Sequence, residues 1–322
     1  MENTRVLVTG GAGYVGSLLT GELLSLGHKV HVVDNLRFGI TPLLHYFPNE
    51  NFSFNKIDVR SYEILKKELE TFNPEYIIHL AAIVGYPACA ADEILAKTTN
   101  VGGTNNVVEI CKDIGLKTGK YPKLLYASTG SAYGKVEGIC TEETPINPLT
   151  LYGETKRDAE NLVMKNYPGE SIALRFATVF GVSPRLRLDL LINDFTYQAL
   201  YAKQIVLFEG NFKRTFLHVR DTVNSYLHCM KNWDKMKNEV YNVGDSKMNY
   251  SKKQVAEIIK NHIDYYLHEA PVGEDLDKRD YEVDYSKINK TGFNSQISID
   301  SGIQELVKTL KHIKITPDWK NA

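Results

Sequence analysis

Thr9-Gly10-Gly11-Ala12-Gly13-Tyr14-Val15-Gly16 is the stretch on which the fold of this chain turns. It follows a β-rich run, Arg5–Thr9, and opens an amphipathic run, Tyr14–Leu26, that stops at Gly27. A glycine there can take the left-handed C-cap conformation without a Cβ penalty. In a strand-to-helix setting the GxxGxxG spacing divides the work. One glycine makes a tight turn, one lets the backbone approach a pyrophosphate, and one packs the helix on the sheet. The free N–H groups and positive dipole of the helix start would then meet the phosphates. Gly10, Gly13 and Gly16 therefore read as a dinucleotide-binding turn rather than a structural turn alone.

The next β-rich run, from Lys29, ends at Val33-Asp34-Asn35, where an acid about 20 residues beyond the glycines meets the adenosine ribose hydroxyls. A carboxylate there repels a 2′-phosphate, which favours NAD over NADP, although Arg37 is a residue type that can accommodate that phosphate. Asp58, after the run Phe52–Ile57, has two readings: acceptor for the adenine amino group, or cap of a strand end.

Outward from the turn, strands and helices alternate. Helix is expected over Ser61–Thr71 with Ser61 as N-cap, Thr98–Cys111 and Tyr152–Asn166; strand is expected over Tyr76–Leu80, Lys123–Ala127 and Ser171–Phe176. Such alternation implies βαβ units and an α/β fold, a Rossmann-type doubly wound parallel sheet covered by helices on both faces. After Gly181 the pattern loosens. Helices are expected over Leu188–Ala202, Asp221–Lys231, Ser251–Lys260 and Ser301–His312, and strands over Ile205–Phe208, Thr215–Val219 and Glu239–Val243. This suggests two domains with some chain exchange: residues 1–181 for the dinucleotide and 182–322 as a smaller mixed α/β lobe.

A second signal is Tyr152-Gly153-Glu154-Thr155-Lys156 at the start of a predicted helix. An i, i+4 pair shares a helical face, so the ammonium of Lys156 can favour the phenolate of Tyr152. Such a phenol can take a proton from a carbinol as hydride leaves. Ala127-Ser128-Thr129-Gly130-Ser131 follows the fifth predicted strand, and the C-terminal edge of a parallel sheet is where ligands bind. Thr129 is placed to steady the reacting oxygen.

The chain has 322 residues, 38 Lys plus Arg against 39 Asp plus Glu, and a formal net charge of −1. That balance argues against nucleic acid or an anionic membrane as the main partner, and no stretch is apolar enough to span a bilayer. Four scattered cysteines form no CxxC pair and nine histidines show no metal-ligand spacing, so no disulfide and no metal is expected, and the cytoplasm is the expected compartment.

The assembled motifs resemble the extended short-chain dehydrogenase/reductase proteins of the NAD-dependent epimerase/dehydratase type. The matching residues are Gly10, Gly13 and Gly16; Asp34; Asp58; His79-Leu80-Ala81-Ala82; Asn100-Val101-Gly102-Gly103-Thr104; Ser128-Thr129 through Tyr133-Gly134; Tyr152 with Lys156; and Arg214 through Asp221. The resemblance implies an NAD site that also uses Tyr14, Val15, Asn35, Val59, Leu80, Ala81, Ala82, Asn100, Thr178 and Val179. It makes Tyr152 the base, Lys156 its tuner and ribose anchor, and Thr129 the hydroxyl partner. It implies a nucleoside-diphosphate sugar held by Val84, Ser131, Arg187, Asn193, Arg214 and Arg279 together with Thr129 and Tyr152. A homodimer through a four-helix bundle, using the Asn100 and Tyr152 helices, is implied as well.

Two departures narrow the expected activity. The 4,6-dehydratases of the family place Asp-Glu after the catalytic threonine, where this chain has Gly130-Ser131; the sugar epimerases carry Asn at the position of Thr178. The stretches Ser183–Phe195 and Gly273–Tyr281 are similar to GDP-heptose 4-dehydrogenases of bacterial capsule pathways. The expectation is therefore C4 oxidation of a nucleotide-linked sugar, with a 4-epimerase as the alternative and a non-catalytic NAD-binding scaffold or sensor as the alternative of another class.

Overall fold

The computed structural model describes residues 3–270, 282–314 and 319–321. The first six strands of the main sheet are, in chain order, Arg5–Thr9 (β1), Lys29–Asp34 (β2), Phe52–Lys56 (β3), Tyr76–His79 (β4), Lys123–Thr129 (β5) and Ser171–Phe176 (β6). Thr178–Phe180 (β7) and Lys213–His218 (β8) start a second sheet, and Glu239–Val243 (β9) returns to the first. The first sheet is wholly parallel in the order β9-β6-β5-β4-β1-β2-β3. The smaller sheet runs Asn249–Ser251 (β10), β8, β7. Glu239–Val243, read in sequence among the elements of the smaller lobe, is thus an edge strand of the main sheet beside β6.

Alternation along the strands splits their side chains between two cores, as a pleat of period two requires. Val6, Val8, Ile78, Leu125 and Ile172 face one side, against Leu19 and Leu23 of Tyr14–Ser25 (α1). Leu7, Ile77, Leu124 and Ala173 face the other, against Leu65 and Leu69 of Tyr62–Phe72 (α2), Val107 and Cys111 of Thr104–Thr118 (α3), and Ala159 of Leu151–Asn161 (α4). A third core joins Ile192 and Ala199 of Leu191–Tyr201 (α5) to Ile303 and Leu306 of Ile299–Leu310. Apolar residues on both faces of β1 and β4 explain their near-continuous hydrophobic sequence.

Three expected helices differ in detail. Thr98–Cys111 is longer and composite: a short helix Glu93–Lys97, a π-helical stretch Thr98–Gly103, then α3. Tyr152–Asn166 likewise ends in a π-helical stretch, Leu162–Asn166. Extra-wide turns leave no mark in a 3.6-residue periodicity, which is why the sequence reads straight through them. Leu188–Ala202 begins only at Leu191. Ser61 occupies the N-cap position of α2, but its side chain makes no capping hydrogen bond.

The order of the main sheet reverses between β1 and β4. Ligands of open α/β sheets bind in the crevice outside the carboxyl ends of the strands at such a switch point, and a cleft opens there. No helix of the described residues is long and apolar enough to cross a membrane.

Candidate active site

The cleft encloses about 300 Å³ and runs from the glycine turn to the start of α4. At one end, Gly10 has φ +73° and a Cβ built on it would lie 2.7 Å from the Ala81 nitrogen. A Cβ on Gly16 would lie 2.3 Å from the Gly10 carbonyl oxygen. Only glycine fits either position. No side chain caps α1 and no acid lies in its first turn, so its N-terminal field is directed at the cleft without a resident anion. A dinucleotide's pyrophosphate fits this cradle. Gly16→Ala is expected to weaken NAD binding at least tenfold by calorimetry and, through overpacking, to cost about 1–3 kcal/mol of stability; unchanged affinity would remove the cradle argument.

Asp34 closes the β2 end. Its carboxylate accepts from the backbone N–H of Ala12 at 3.0 Å and of Leu36 at 2.7 Å, tying the glycine turn to the next loop, while burial raises its pKa. Asp58 does not line the cleft. Arg60 grips its two oxygens at 2.9 and 2.8 Å, a further bond comes from Asn35, and Arg60 above all pulls the carboxyl down to about 2. An adenine amino group would have to share that carboxylate. Asn100 also stands behind the wall. It accepts from Ile83 N–H, donates to Ile83 O and to Thr155 Oγ1, and so pins the loop after β4 to the helix that carries Tyr152. Every other residue expected at the cofactor lines the cleft.

At the opposite end Thr129, Tyr152 and Lys156 line one wall. Thr129 ends β5 because that strand extends two residues beyond the expected Ala127, pairing Thr129 with Phe176. Its hydroxyl accepts from Ser131 N–H and donates to Ser131 Oγ, both at 3.1 Å. Thr150 caps α4, accepting from Gly153 N–H, which sets Tyr152 in the first turn. A Cβ on Gly153 would lie 2.8 Å from Pro148 Cβ, so this glycine allows the helix to approach its preceding loop. Lys156 is 4% exposed, with Nζ 4.2 Å from the centroid of the Tyr126 ring. Burial pulls the ammonium down to about 7, and the Glu160 carboxylate opposes that pull.

Of the residues expected at the substrate, Val84, Ser131 and Arg187 line the cleft. Arg187 is gripped by Asp189 at 3.1 and 2.5 Å. Asn193 is fully buried away from it, bonding Gly181 N–H and the Gly181 and Arg187 carbonyls. Arg214 is buried in β8, one N–H on the Lys213 carbonyl, and does not line the cleft. Arg279 and the stretch Gly273–Tyr281 lie outside the described residues. Phe38 and Asn321, which carry no sequence signal, also line the cleft, as does Arg185, a weaker candidate for the diphosphate in sequence. Arg185 lies 3.9 Å from the Phe38 ring centroid, and Asn321 donates to the Val84 carbonyl. Asp34 is the only carboxylate among the described residues lining the cleft, and it stands at the glycine end. No cluster of three potential metal ligands occurs among the described residues.

Known proteins share this architecture. Residues 6–244 match the NAD dependent epimerase/dehydratase family. A UDP-glucuronate 4-epimerase of Thermodesulfobacterium geofontis is 30% identical, over 96% of this chain and 99% of that protein. The structure of a Thermotoga maritima UDP-glucose 4-epimerase with UDP-glucose superposes with a TM-score of 0.85 at 27% identity, covering 96% of this chain and 99% of that one. A Bacillus cereus UDP-glucuronic acid 4-epimerase, in complex with UDP-glucuronic acid and NAD, gives 0.83 at 25% identity, over 96% and 99%. With the glycine cradle, the Asp34 carboxylate and the match over most of its length, this chain belongs to the NAD-dependent epimerase/dehydratase family, and its cofactor is NAD.

Proposed function

We propose that this protein oxidises C4 of a nucleoside-diphosphate sugar, one of the GDP-heptose type, and releases a 4-keto sugar for surface-polysaccharide assembly. One observation carries the redox reading: a threonine hydroxyl, a phenol and a buried lysine line the same cleft, and among the described residues the only carboxylate lining it is Asp34 at the glycine turn. Elimination of water needs an acid and a base; carbinol oxidation needs only a proton acceptor and a hydride acceptor. NAD bound along the glycine turn supplies the hydride acceptor. Tyr152 takes the C4 hydroxyl proton and passes it to solvent. Lys156 favours the phenolate by its charge, and Thr129 steadies the oxygen as charge develops on it. Arg187, held by Asp189, presents a fixed guanidinium to the diphosphate.

The similarity of Ser183–Phe195 to GDP-heptose 4-dehydrogenases supports the ketone as product. A second reading, a 4-epimerase that returns hydride to the opposite face of the same ketone, is supported by the activity of the relatives. The same proposal assigns residues 1–181 to NAD and 182–322 to the nucleotide sugar, places the protein in the cytoplasm, and pairs two copies through α3 and α4. Exposed Leu116, within the first of these helices, and Ile94, in the short helix before it, are consistent with a covered face. NAD-loaded protein incubated with GDP-heptose, UDP-glucose and UDP-glucuronate, with products followed by NMR, tests the reading. A C4 ketone is expected; an inverted C4 centre selects the epimerase, and inertness toward all three contradicts both.

A further inference from the structure

One turn beyond Lys156 on the same face of α4 stands Glu160, a buried carboxylate that the reaction above does not use. It forms a two-pronged ion pair with Arg175 of β6, Nη2 to Oε1 at 2.6 Å and Nε to Oε2 at 3.0 Å, both side chains 6% exposed. Ser128 donates to the same carboxylate at 2.6 Å. Arg175 also donates to the Tyr133 hydroxyl at 2.9 Å, which in turn donates to Asn242 of β9 at 2.7 Å. Four elements therefore meet on one carboxylate and its partner: the helix of Tyr152 and Lys156, the end of β5 next to Thr129, β6, and β9 through Tyr133.

We propose that Glu160 is a positioning residue of this active site. Through Ser128 and Arg175 it fixes the strand end that bears Thr129 in register with the helix that bears Tyr152 and Lys156, and its negative charge faces the Lys156 ammonium from one turn below. The assignment rests on the reading of Tyr152 and Lys156 as the proton-handling pair. A buried ion pair is a poor device for stability alone, because desolvation offsets much of its Coulomb gain; its connections here run between the strand end that bears Thr129 and the helix that bears Tyr152 and Lys156.

The groups facing Lys156 are Tyr126 from β5, His79 from β4, Cys89 from the short helix Tyr86–Ala91, and Glu160 from its own helix, where Tyr152 stands one turn before Lys156. Glu160 is the one carboxylate among them, and Arg175 lies beyond it on the neighbouring strand. Removing the negative charge therefore disfavours the Lys156 ammonium, and with it the charge that favours the Tyr152 phenolate, so the lysine ionises at lower pH and the phenol at higher pH.

The test compares the parent chain, Glu160→Gln and Glu160→Gln/Arg175→Met. Ionisation of Tyr152 is read, without substrate, as the phenolate absorbance difference between each protein and its Tyr152→Phe counterpart. Glu160→Gln is expected to raise that midpoint, because the ammonium that favours the phenolate is lost at lower pH. The double variant, which buries no unpaired charge and carries the test should Glu160→Gln fail to fold, shifts it in the same direction. Where turnover is measurable, both limbs of the kcat profile follow, whereas a merely structural role lowers the plateau and leaves the limbs in place. Coincident midpoints in the parent and the folded variants overturn the proposal while leaving the C4 oxidation untouched. Inertness of the parent toward nucleotide sugars overturns that function and leaves the absorbance comparison to decide the role of Glu160.

Discussion

Tyr152→Phe is expected to lower turnover of a nucleotide sugar by about 10²–10⁴-fold, the usual contribution of a positioned proton-transfer group. The ring, its half-buried place on α4 and its packing beside Ile83 and Cys89 are kept; only the hydroxyl goes. The melting temperature and NAD occupancy should therefore stay close to the parent's. Lys156→Met should also slow turnover but, unlike Tyr152→Phe, should weaken NAD binding as well, since Lys156 lines the cleft and is read as the ribose anchor. Calorimetry of NAD binding beside steady-state kinetics separates the two. A Tyr152→Phe protein with parental turnover would remove Tyr152 as the proton acceptor.

The second large effect is loss of stability in mild acid, driven by two buried histidines. His79 is wedged between Thr9 Oγ1, 2.7 Å from Nδ1, and Thr104 Oγ1, 3.0 Å from Nε2. Thr104 donates to the Asn100 carbonyl and Thr9 lies within reach of the Leu80 and Ala81 N–H groups. That pattern suits a neutral ring with its proton on Nε2; a second proton on Nδ1 would confront the Thr9 hydroxyl hydrogen. Burial, with the Lys156 charge as a smaller cause, pushes the ring down to about 3. His218 is also pushed down to about 3, by burial first and by Arg220 second; Glu305 Oε2, 3.6 Å away and shared with Arg220, does not offset this.

Between pH 6.5, near which the unfolded rings titrate, and about pH 3, the unfolded chain holds protons that the folded chain refuses. Stability therefore falls as the pH is lowered through that window, at up to about 1.4 kcal/mol per pH unit for each histidine. Asp58, held down to about 2 by Arg60, loses its contribution only below roughly pH 4, so its effect follows that of the histidines. Urea unfolding from pH 7 to pH 4 should show the decline, and His79→Asn should flatten it whatever its stability at neutral pH. Equal slopes in parent and variant would contradict a neutral buried His79.

Much of the fold was legible because its determinants are local. The glycine turn, the acid at the end of β2 and the buried runs of β1, β4 and β6 each state their structure within a few residues, and the parallel sheet follows from their alternation. Glu239–Val243 was legible as a strand but not as a neighbour of Ser171–Phe176, since pairing across a long insertion has no local sign. The site divides in the same way. Tyr152 and Lys156 announce themselves by helical spacing, and Thr129 by its place after β5. Asn193 resembles a ligand in sequence, yet its amide is spent on the backbone around Gly181. Glu160 sits at i+4 from Lys156, a spacing visible in sequence, but its worth depends on Arg175 and Ser128, which only the folded sheet brings to it. Phe38, Arg185 and Asn321 line the cleft from three distant parts of the chain, and no spacing rule connects them.

The central claim is that the C4 hydrogen of a nucleotide sugar leaves as hydride at the wall formed by Thr129, Tyr152 and Lys156. The direct measurement is a single turnover of NAD-loaded protein with a nucleotide sugar carrying deuterium at C4, read by the near-ultraviolet absorbance of the reduced dinucleotide and by its mass. The account predicts that the absorbance appears more slowly than with the undeuterated sugar and that the deuterium is recovered in the dinucleotide. Reduction without deuterium in the dinucleotide, or consumption of the sugar with its deuterium still in place and no isotope effect, would contradict it.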